Sequence, residues 1–587
     1  MKRDCTLENG FVLGIWDGHD AGAALLRGKE IIFAINEERL SRRKLEVGFP
    51  FQSIQACLRH AAIAPSEVTT VAASTTDPAK TLTRLLPWLK EEYYLIRRRK
   101  KASRRFDPLK KAFKYRFTEL APNIISRSLS RAYMHRQLKS MGFKNYHLSF
   151  IDHHRAHAEA AARCSGFSEC LVLTLDGVGD GLSGSIWEFK KDQMMLIKKL
   201  PARTSLGIFF EHVTNLMNMR ELEDEGKVMA LANYAYPVED EENPLLKIIG
   251  TEDFSIVSAY TSISMFREMK KILWHYPSEQ FAYMAQRVLE KNVVALVRQA
   301  VIKKGLKNIA VAGGVFSNIK MNMKVAGLVE NISVFPHMGD GGLALGAAVA
   351  RNYEAGGTSA YHLRSLYLGP AFTRDDILAV LGKYGCDKNT LDKGGIRYHH
   401  PENLSEAGAQ LILRGEIVLW FQGRMEIGPR SLGNRSILAR PDDRRIKDRL
   451  NLLLKKRVWY QPFCPSIIIE DAPDLLEMDG QDIQYNRFMT MAFNIRKEHL
   501  GIMEGVMNID GTCRPHFVAE ENPAYRELLL HIKKELGYGI VLNTSFNIHG
   551  EPIVCSPLEA LDMLKRTGIR YLFMEDILVE NMDAKDL

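Results

Sequence analysis

The run Asp152-His153-His154-Arg155-Ala156-His157-Ala158 leads into the alanine-rich stretch 159–164, and alanine favours helix. On a helix, residues four apart leave the same face, so His153 and His157 can share one metal ion. His154 is rotated by about 100° and points elsewhere. Imidazole suits iron, zinc, copper or nickel, and a carboxylate from a distant loop would complete the set while leaving positions open for a phosphate or water. Asp340, in the glycine turn of residues 337–342, is the candidate carboxylate. A pair of helix-surface histidines is the plain alternative.

Three glycine turns follow apolar stretches: Asp17-Gly18-His19-Asp20, Asp176-Gly177-Val178-Gly179-Asp180 and Ala312-Gly313-Gly314. Glycine lets backbone N–H groups approach a phosphate because no side chain intervenes and positive φ costs nothing. None of the three is a Walker loop or a dinucleotide fingerprint. Further on, residues 421–441 place Arg424, Arg430 and Arg435 among glycines with few acids, and Lys455, Lys456 and Arg457 follow. Guanidinium forks converging on one loop suit a small dianion such as phosphate or carbamoyl phosphate. Asn543-Thr544-Ser545-Phe546-Asn547 ends a strand with a polar tip.

These groups need a large α/β frame. The apolar strands 11–16 and 170–176 each end on an Asp-Gly turn and continue into a further strand, and the strand at 308–312 ends on Gly313-Gly314. A first domain over 1–355, a linker at 351–365 and a second α/β or α+β domain over 366–587 account for the 587 residues. A composition of 46% hydrophobic and 25% charged residues excludes disorder, collagen and coiled coil. Eight cysteines lie scattered without CxxC pairs, so disulfides and zinc ribbons are not expected. With no membrane-length apolar run and no signal region, the expected location is cytoplasmic.

The net charge of +9 is concentrated. Between residues 96 and 117 eleven Lys/Arg face one acid, a local +10, and Asp107-Pro108 followed by phenylalanines at near-helical spacing predicts an amphipathic basic helix. An insert of about 85–140 therefore reads first as a solvated lid packed by its phenylalanines, with an anionic substrate, nucleic acid or a peripheral membrane contact through 97–117 as the alternatives.

Eleven segments in order, among them GIWDGHDAGAAL (14–25), DHHRAHA (152–158), LTLDGVGDG (173–181), AGGVFSNIKMN (312–322), GDGGLALGAA (339–348), QGRMEIGPRSLGNRSIL (422–438) and LNTSFNIHGEPIV (542–554), resemble the O-carbamoyltransferases of the nodulation-factor and cephamycin type. The resemblance covers almost the whole chain. It implies an α/β protein with an N-terminal actin, sugar-kinase and heat-shock ATPase (ASKHA) domain and a C-terminal YrdC-like domain. It further implies that carbamoyl phosphate and ATP give carbamoyl adenylate, from which a hydroxyl of a small-molecule or glycan acceptor takes the carbamoyl group.

By motif position, His153, His157 and Asp340 would hold iron(II) or another divalent metal, with Mg2+ a further candidate. Asp17, Gly177, Gly313, Gly314 and Asn318 would surround the nucleotide. His19, Asp20 and His154 are the expected catalytic residues. Arg424, Arg430, Arg435, Lys456, Arg457, Ser545 and Asn547 would grip carbamoyl phosphate and ATP in the second domain. Val458, Gln461 and Asn508 depart from the family's usual Glu, Arg and His. No nucleic-acid partner is expected, and a homodimer is. A tRNA threonylcarbamoyl-type transferase and a sugar kinase are the alternative activities on the same scaffold, and a catalytically silent nucleotide-binding protein is the third reading.

Overall fold

A computed structural model describes residues 10–101, 116–361, 363–388 and 395–584. The chain forms two units: the residues up to Glu37 together with Leu45–Leu363, and Glu38–Lys44 together with Arg364–Leu587.

The first unit contains one strand path drawn twice. β1 (Phe11–Trp16), β2 (Gly22–Arg27) and β3 (Glu30–Asn36) form an antiparallel meander; β4 (Thr70–Ser74) and β5 (His147–Ile151) add in parallel on the other side of β1. The order is β3-β2-β1-β4-β5. In the second half, β6 (Glu169–Gly179), β7 (Leu182–Lys190) and β8 (Gln193–Pro201) form the meander. After a small ribbon of β9 (Gly250–Glu252) and β10 (Ser255–Val257), β11 (Asn308–Ala312) and β12 (Asn331–Val334) add in parallel beside β6. The order β12-β11-β6-β7-β8 repeats the first. Central β4 is buried along its whole length, as a parallel strand covered on both faces must be.

Helix His153–Cys164 follows β5 and helix Leu343–Glu354 follows β12; each packs on the sheet of the other half, and the two pack together. Their alanines and glycines are what allow this. A Cβ on Gly346 would lie 2.2 Å from the Ala156 carbonyl oxygen, so the helices touch backbone to backbone at this crossing. That approach brings the histidine turn of one half to the Asp340 turn of the other.

Between β4 and β5 lie helices Pro78–Leu85, Pro87–Arg97 and Ile124–Ser140. Phe106, Leu109 and Phe113 of the expected amphipathic helix lie outside the described residues. The start of the basic run is committed within the unit. Arg97 pairs with Glu211 and Glu221, Arg98 with Glu223, and Arg99 donates to Met219 O (3.1 Å) and Asn218 Oδ1 (2.6 Å).

The second unit is built on a nine-stranded mixed sheet. Its centre runs Val418–Phe421, Arg435–Ala439, Ile540–Ser545 and Cys464–Ile468, neighbouring pairs antiparallel. Trp420, Tyr525, Leu528 and Phe573 fill the core against helices Leu404–Leu413 and Pro523–Leu536, each large apolar side chain contributing about 1.5–3 kcal/mol by its burial. Glu38–Lys44, part of the motif at 35–44, belongs to this unit: Arg39 donates to Gly428 O (2.8 Å) and Arg42 to Ile553 O (2.7 Å).

Candidate metal and anion sites

His153 and His157 leave one face of their helix as the i, i+4 spacing requires, and their Nε2 atoms meet Asp176, in the last part of β6 where its pairing with β7 is interrupted, and Asp340 at the turn before helix Leu343–Glu354. His157 Nε2 is 3.1 Å from Asp176 Oδ2 and 3.7 Å from Asp340 Oδ1; His153 Nε2 is 3.8 and 3.6 Å from the same carboxylates. One ligand atom from each of the four lies within 4.8 Å of all the others. Both histidines are buried, yet neither Nε2 has a hydrogen-bond partner. Two orphaned imidazole nitrogens facing two carboxylates are a donor set that fits a divalent cation.

The charges agree. Burial alone would push the His153 imidazole down, but Asp340 and Asp176 outweigh it and hold His153 up at about 9. Burial likewise works against ionising Asp176, and the two imidazoles of His153 and His157 facing it override that to keep it well below the usual carboxylate range.

The surrounding residues hold the ligands in place. Asp152, preceding the helix, makes no side-chain cap. Asp180 acts in its stead: one carboxylate oxygen accepts from His153 N (2.7 Å), the other from Thr76 N (3.1 Å) and Asp77 N (3.2 Å). Thr75 Oγ1 lies 3.2 Å from His153 Nδ1. Asp176 accepts from Gly177 N (2.6 Å) and Gly314 N (3.2 Å), so the second and third glycine turns orient a carboxylate. Gly313, at φ 105°, has no room for a side chain, since a Cβ would lie 2.1 Å from Leu175 O.

Several predicted residues take other places. His154 turns away from the cluster, with Nδ1 3.0 Å from Thr174 Oγ1 and Nε2 3.1 Å from Leu182 O; burial, then His153 and His157, push it down to about 3, which keeps it neutral. Both of its nitrogens therefore brace the turn. Asp17 spends its carboxylate on a buried fork with Arg84 (2.8 and 3.0 Å) and on Lys80 (2.7 Å). Asn318 caps helix Ile319–Ala326 by accepting from Met321 N (3.1 Å), and its amide group exchanges hydrogen bonds with Gln286. His19 does reach the cluster: its Nδ1 is 3.4 Å from Asp340 Oδ2 and 3.2 Å from the Tyr94 hydroxyl. Asp20, at φ 56°, is tied by its carbonyl to Asn36 Nδ2 (3.0 Å).

In the second unit, the start of strand Arg435–Ala439, the end of Ile540–Ser545 and the start of Cys464–Ile468 lie at one end of the sheet. Arg430 and Arg457 gather there with Arg514, which donates to Cys464 Sγ from Nε (3.2 Å) and Nη2 (3.0 Å). Burial first, and then the like charge of Arg514, push Arg430 down to about 9. Burial does the same to Arg457, with Arg514 adding to it. Among the described residues no carboxylate acts on either, and Arg430 Nε has no partner. Cations gathered in this way without an acid are a site for an anion.

The neighbouring lysine is Lys455, not Lys456. Lys455 Nζ is buried and donates to the Ser545 carbonyl, Asn547 O (2.8 Å) and Asn547 Oδ1 (3.2 Å), whereas Lys456 is exposed at φ 50°. Arg424 donates to Leu368 O and Gly369 O, and the wholly buried Arg435 to Gln422 O and Asn434 O, so both brace the loop that presents Arg430.

Sequence reasoning missed Asp176 as a ligand, and it missed Asp180, Lys455 and Arg514. An Asp-Gly at the end of an apolar strand was the available signal for Asp176. Nothing local marked Arg514.

A duplicated five-stranded fold with a His2Asp2 cluster between its halves, joined in sequence to a mixed-sheet unit bearing an arginine site, defines a two-unit α/β protein with a candidate metal site and a candidate anion site. The chain belongs to the carbamoyltransferase family: the carbamoyltransferase N-terminus matches residues 12–349 and the carbamoyltransferase C-terminus residues 409–581. An uncharacterised protein of Methanocaldococcus jannaschii is 35% identical, covering 78% of this chain and 78% of that one. Nodulation protein NolNO of Sinorhizobium fredii is 30% identical over 96% of this chain and 79% of its own length. Among solved structures, the Acidaminococcus fermentans (R)-2-hydroxyglutaryl-CoA dehydratase component A has a TM-score of 0.33 and 13% identity, covering 59% of this chain and all of that one (100%).

Proposed function

We propose that the protein is an ATP-dependent O-carbamoyltransferase that activates carbamoyl phosphate as carbamoyl adenylate and passes the carbamoyl group to an acceptor hydroxyl. The observation that carries this reading is the acid-free gathering of Arg430, Arg457 and Arg514 in a chain whose two halves both match carbamoyltransferases. Arg430 and Arg457 bind the phosphate dianion, and Lys455, holding Ser545 and Asn547, fixes the strand end beside them. Hydrolysis of carbamoyl phosphate gives carbamate and phosphate; a carbamate oxygen then attacks the α-phosphorus of ATP, and pyrophosphate leaves. In the second step the acceptor oxygen bonds to the carbamoyl carbon, the bond to AMP breaks, and the hydroxyl proton passes to a base.

His19 stands against Asp340 and is the group that takes or steers that proton, with Asp20 beside it in the turn. His153, His157, Asp176 and Asp340 would hold the divalent metal, iron(II) or another, which supplies Lewis acidity to phosphate oxygens when bound. The acceptor is a small molecule or glycan. The test is pyrophosphate release from ATP: it should require carbamoyl phosphate and vanish in Arg430→Ala. ADP formation with a polyol and no need for carbamoyl phosphate would favour the kinase reading instead.

A further inference from the structure

Apolar exposure is unevenly distributed over the described residues. Of the twenty exposed large hydrophobic side chains, eight lie between residues 82 and 129, in the segment inserted between β4 and β5, six of them in its helices. Ile124 is 83% exposed, Ile125 72% and Trp88 62%, each far more than an incidental surface residue of a packed helix. The helices are held side by side. Thr81 Oγ1 bonds to Ser126 O (3.2 Å) and pairs with Ser130 Oγ (2.8 Å), and Arg84 donates to the same Ser130 hydroxyl. Leu82 and Leu85 on helix Pro78–Leu85 thus flank the same seam as Ile125 and Leu129 on helix Ile124–Ser140, while Trp88 opens the helix that follows.

The described acids of the 85–140 insert, Glu91, Glu92 and Glu119, lie outside its last helix, which is basic throughout. Helix Ile124–Ser140 carries exposed Arg127, Arg131, Arg136 and Lys139 and no acid. Residues 100–116 add eight cations and one acid to the sequence next to it. Arg97 and Arg98 at the start of the basic run are buried in ion pairs, so the described surface is carried by the apolar residues and by the cations of helix Ile124–Ser140.

The geometry points to this helical insert as a docking surface for an anionic lipid bilayer, with Trp88, Ile124 and Ile125 entering the headgroup boundary and Arg127 and Arg131 meeting acidic headgroups. Apolar tips ringed by Lys and Arg are what interfacial binding needs, since the two contributions add. A second copy of the chain fits less well: a two-fold contact would set the same arginines against each other. No described helix is long and apolar enough to cross a membrane, so the contact is peripheral. This inference is independent of the carbamoyl-transfer reading.

Co-sedimentation of the full chain with vesicles of mixed phosphatidylglycerol and phosphatidylcholine tests it. The protein should pellet with these and stay in solution with phosphatidylcholine alone. The triple variant Trp88→Ser, Ile124→Ser, Ile125→Ser and the double variant Arg127→Glu, Arg131→Glu should each lose binding by at least about tenfold. Pyrophosphate release should be unchanged, and a cooperative melt, lowered in the double variant by no more than the loss of the Arg131 bond to Leu148 O (3.2 Å), excludes misfolding. The proposal is overturned by failure of the wild-type chain to bind anionic vesicles, or by binding that survives both sets of substitutions. A triple variant that converts a dimer to a monomer on sizing without altering vesicle binding would assign the face to a second copy and also overturn it.

Discussion

His153 and His157 show what two residues four apart achieve only when the fold supplies the rest. Their Nε2 atoms converge on Asp176 near the end of β6 and on Asp340 from a distant turn, so imidazoles and carboxylates face one another in a buried place. Replacing Asp176 by Asn keeps the shape and removes one negative charge. Metal affinity, read by titration calorimetry, should then fall by at least the ~100-fold that marks the upper end of losses from supporting residues alone. The anion site makes an equally local prediction. Lys455→Met strands the buried acceptors at Ser545 and Asn547, so it should cost about 1–3 kcal/mol in denaturant unfolding and raise the KM for carbamoyl phosphate. Lys456→Met should stay within about 0.5 kcal/mol of the wild type.

At the scale of elements, helix His153–Cys164 is set by Asp180, which crosses from the turn after β6 to hold the first helical N–H and two amides after β4. Asp180→Ala removes no ligand. It should nevertheless weaken metal binding by about 10–100-fold in the same titration, because the helix start is no longer fixed. A second element-level consequence lies in the strand His516–Val518. His516 is fully buried, with Nδ1 3.2 Å from Ser466 Oγ, and burial followed by the Arg487 charge pushes it down to about 3. The native ring is neutral, whereas in the unfolded chain it binds a proton below its ordinary value of 6.5. Stability of the second unit should therefore fall as pH drops from 6.5 towards 3, by about 1.4 kcal/mol per unit. His516→Gln should flatten that slope in pH-dependent denaturant unfolding.

Over the whole molecule, what the sequence made legible was whatever is written in short stretches. Apolar runs closed by Asp17-Gly18 and Asp176-Gly177 signalled the repeated strand–turn–strand units, and the two sheets follow one path. The His-x3-His face and Asp340 were readable from spacing and turn chemistry. What stayed hidden depends on contacts between distant segments. Asp176 read as part of a phosphate turn because nothing in its neighbourhood tells a carboxylate aimed at histidines from one that shapes a loop. Arg424 and Arg435 looked equivalent to Arg430 in sequence, and only the carbonyls of Leu368 and Gln422 separate loop braces from the anion-facing residue. Arg514 joins through Cys464, fifty positions away. Glu38–Lys44 reads as part of the first domain and packs as part of the second unit.

The central claim is that the chain makes carbamoyl adenylate and spends it on a hydroxyl. The most direct measurement is mass spectrometry of the nucleotides formed by the metal-loaded protein from ATP and carbamoyl phosphate labelled with 13C at the carbamoyl carbon. The account predicts a labelled carbamoyl-AMP that is absent in Arg430→Ala. Unlabelled AMP or ADP as the sole product in the wild-type protein, at the same rate without carbamoyl phosphate, would contradict it.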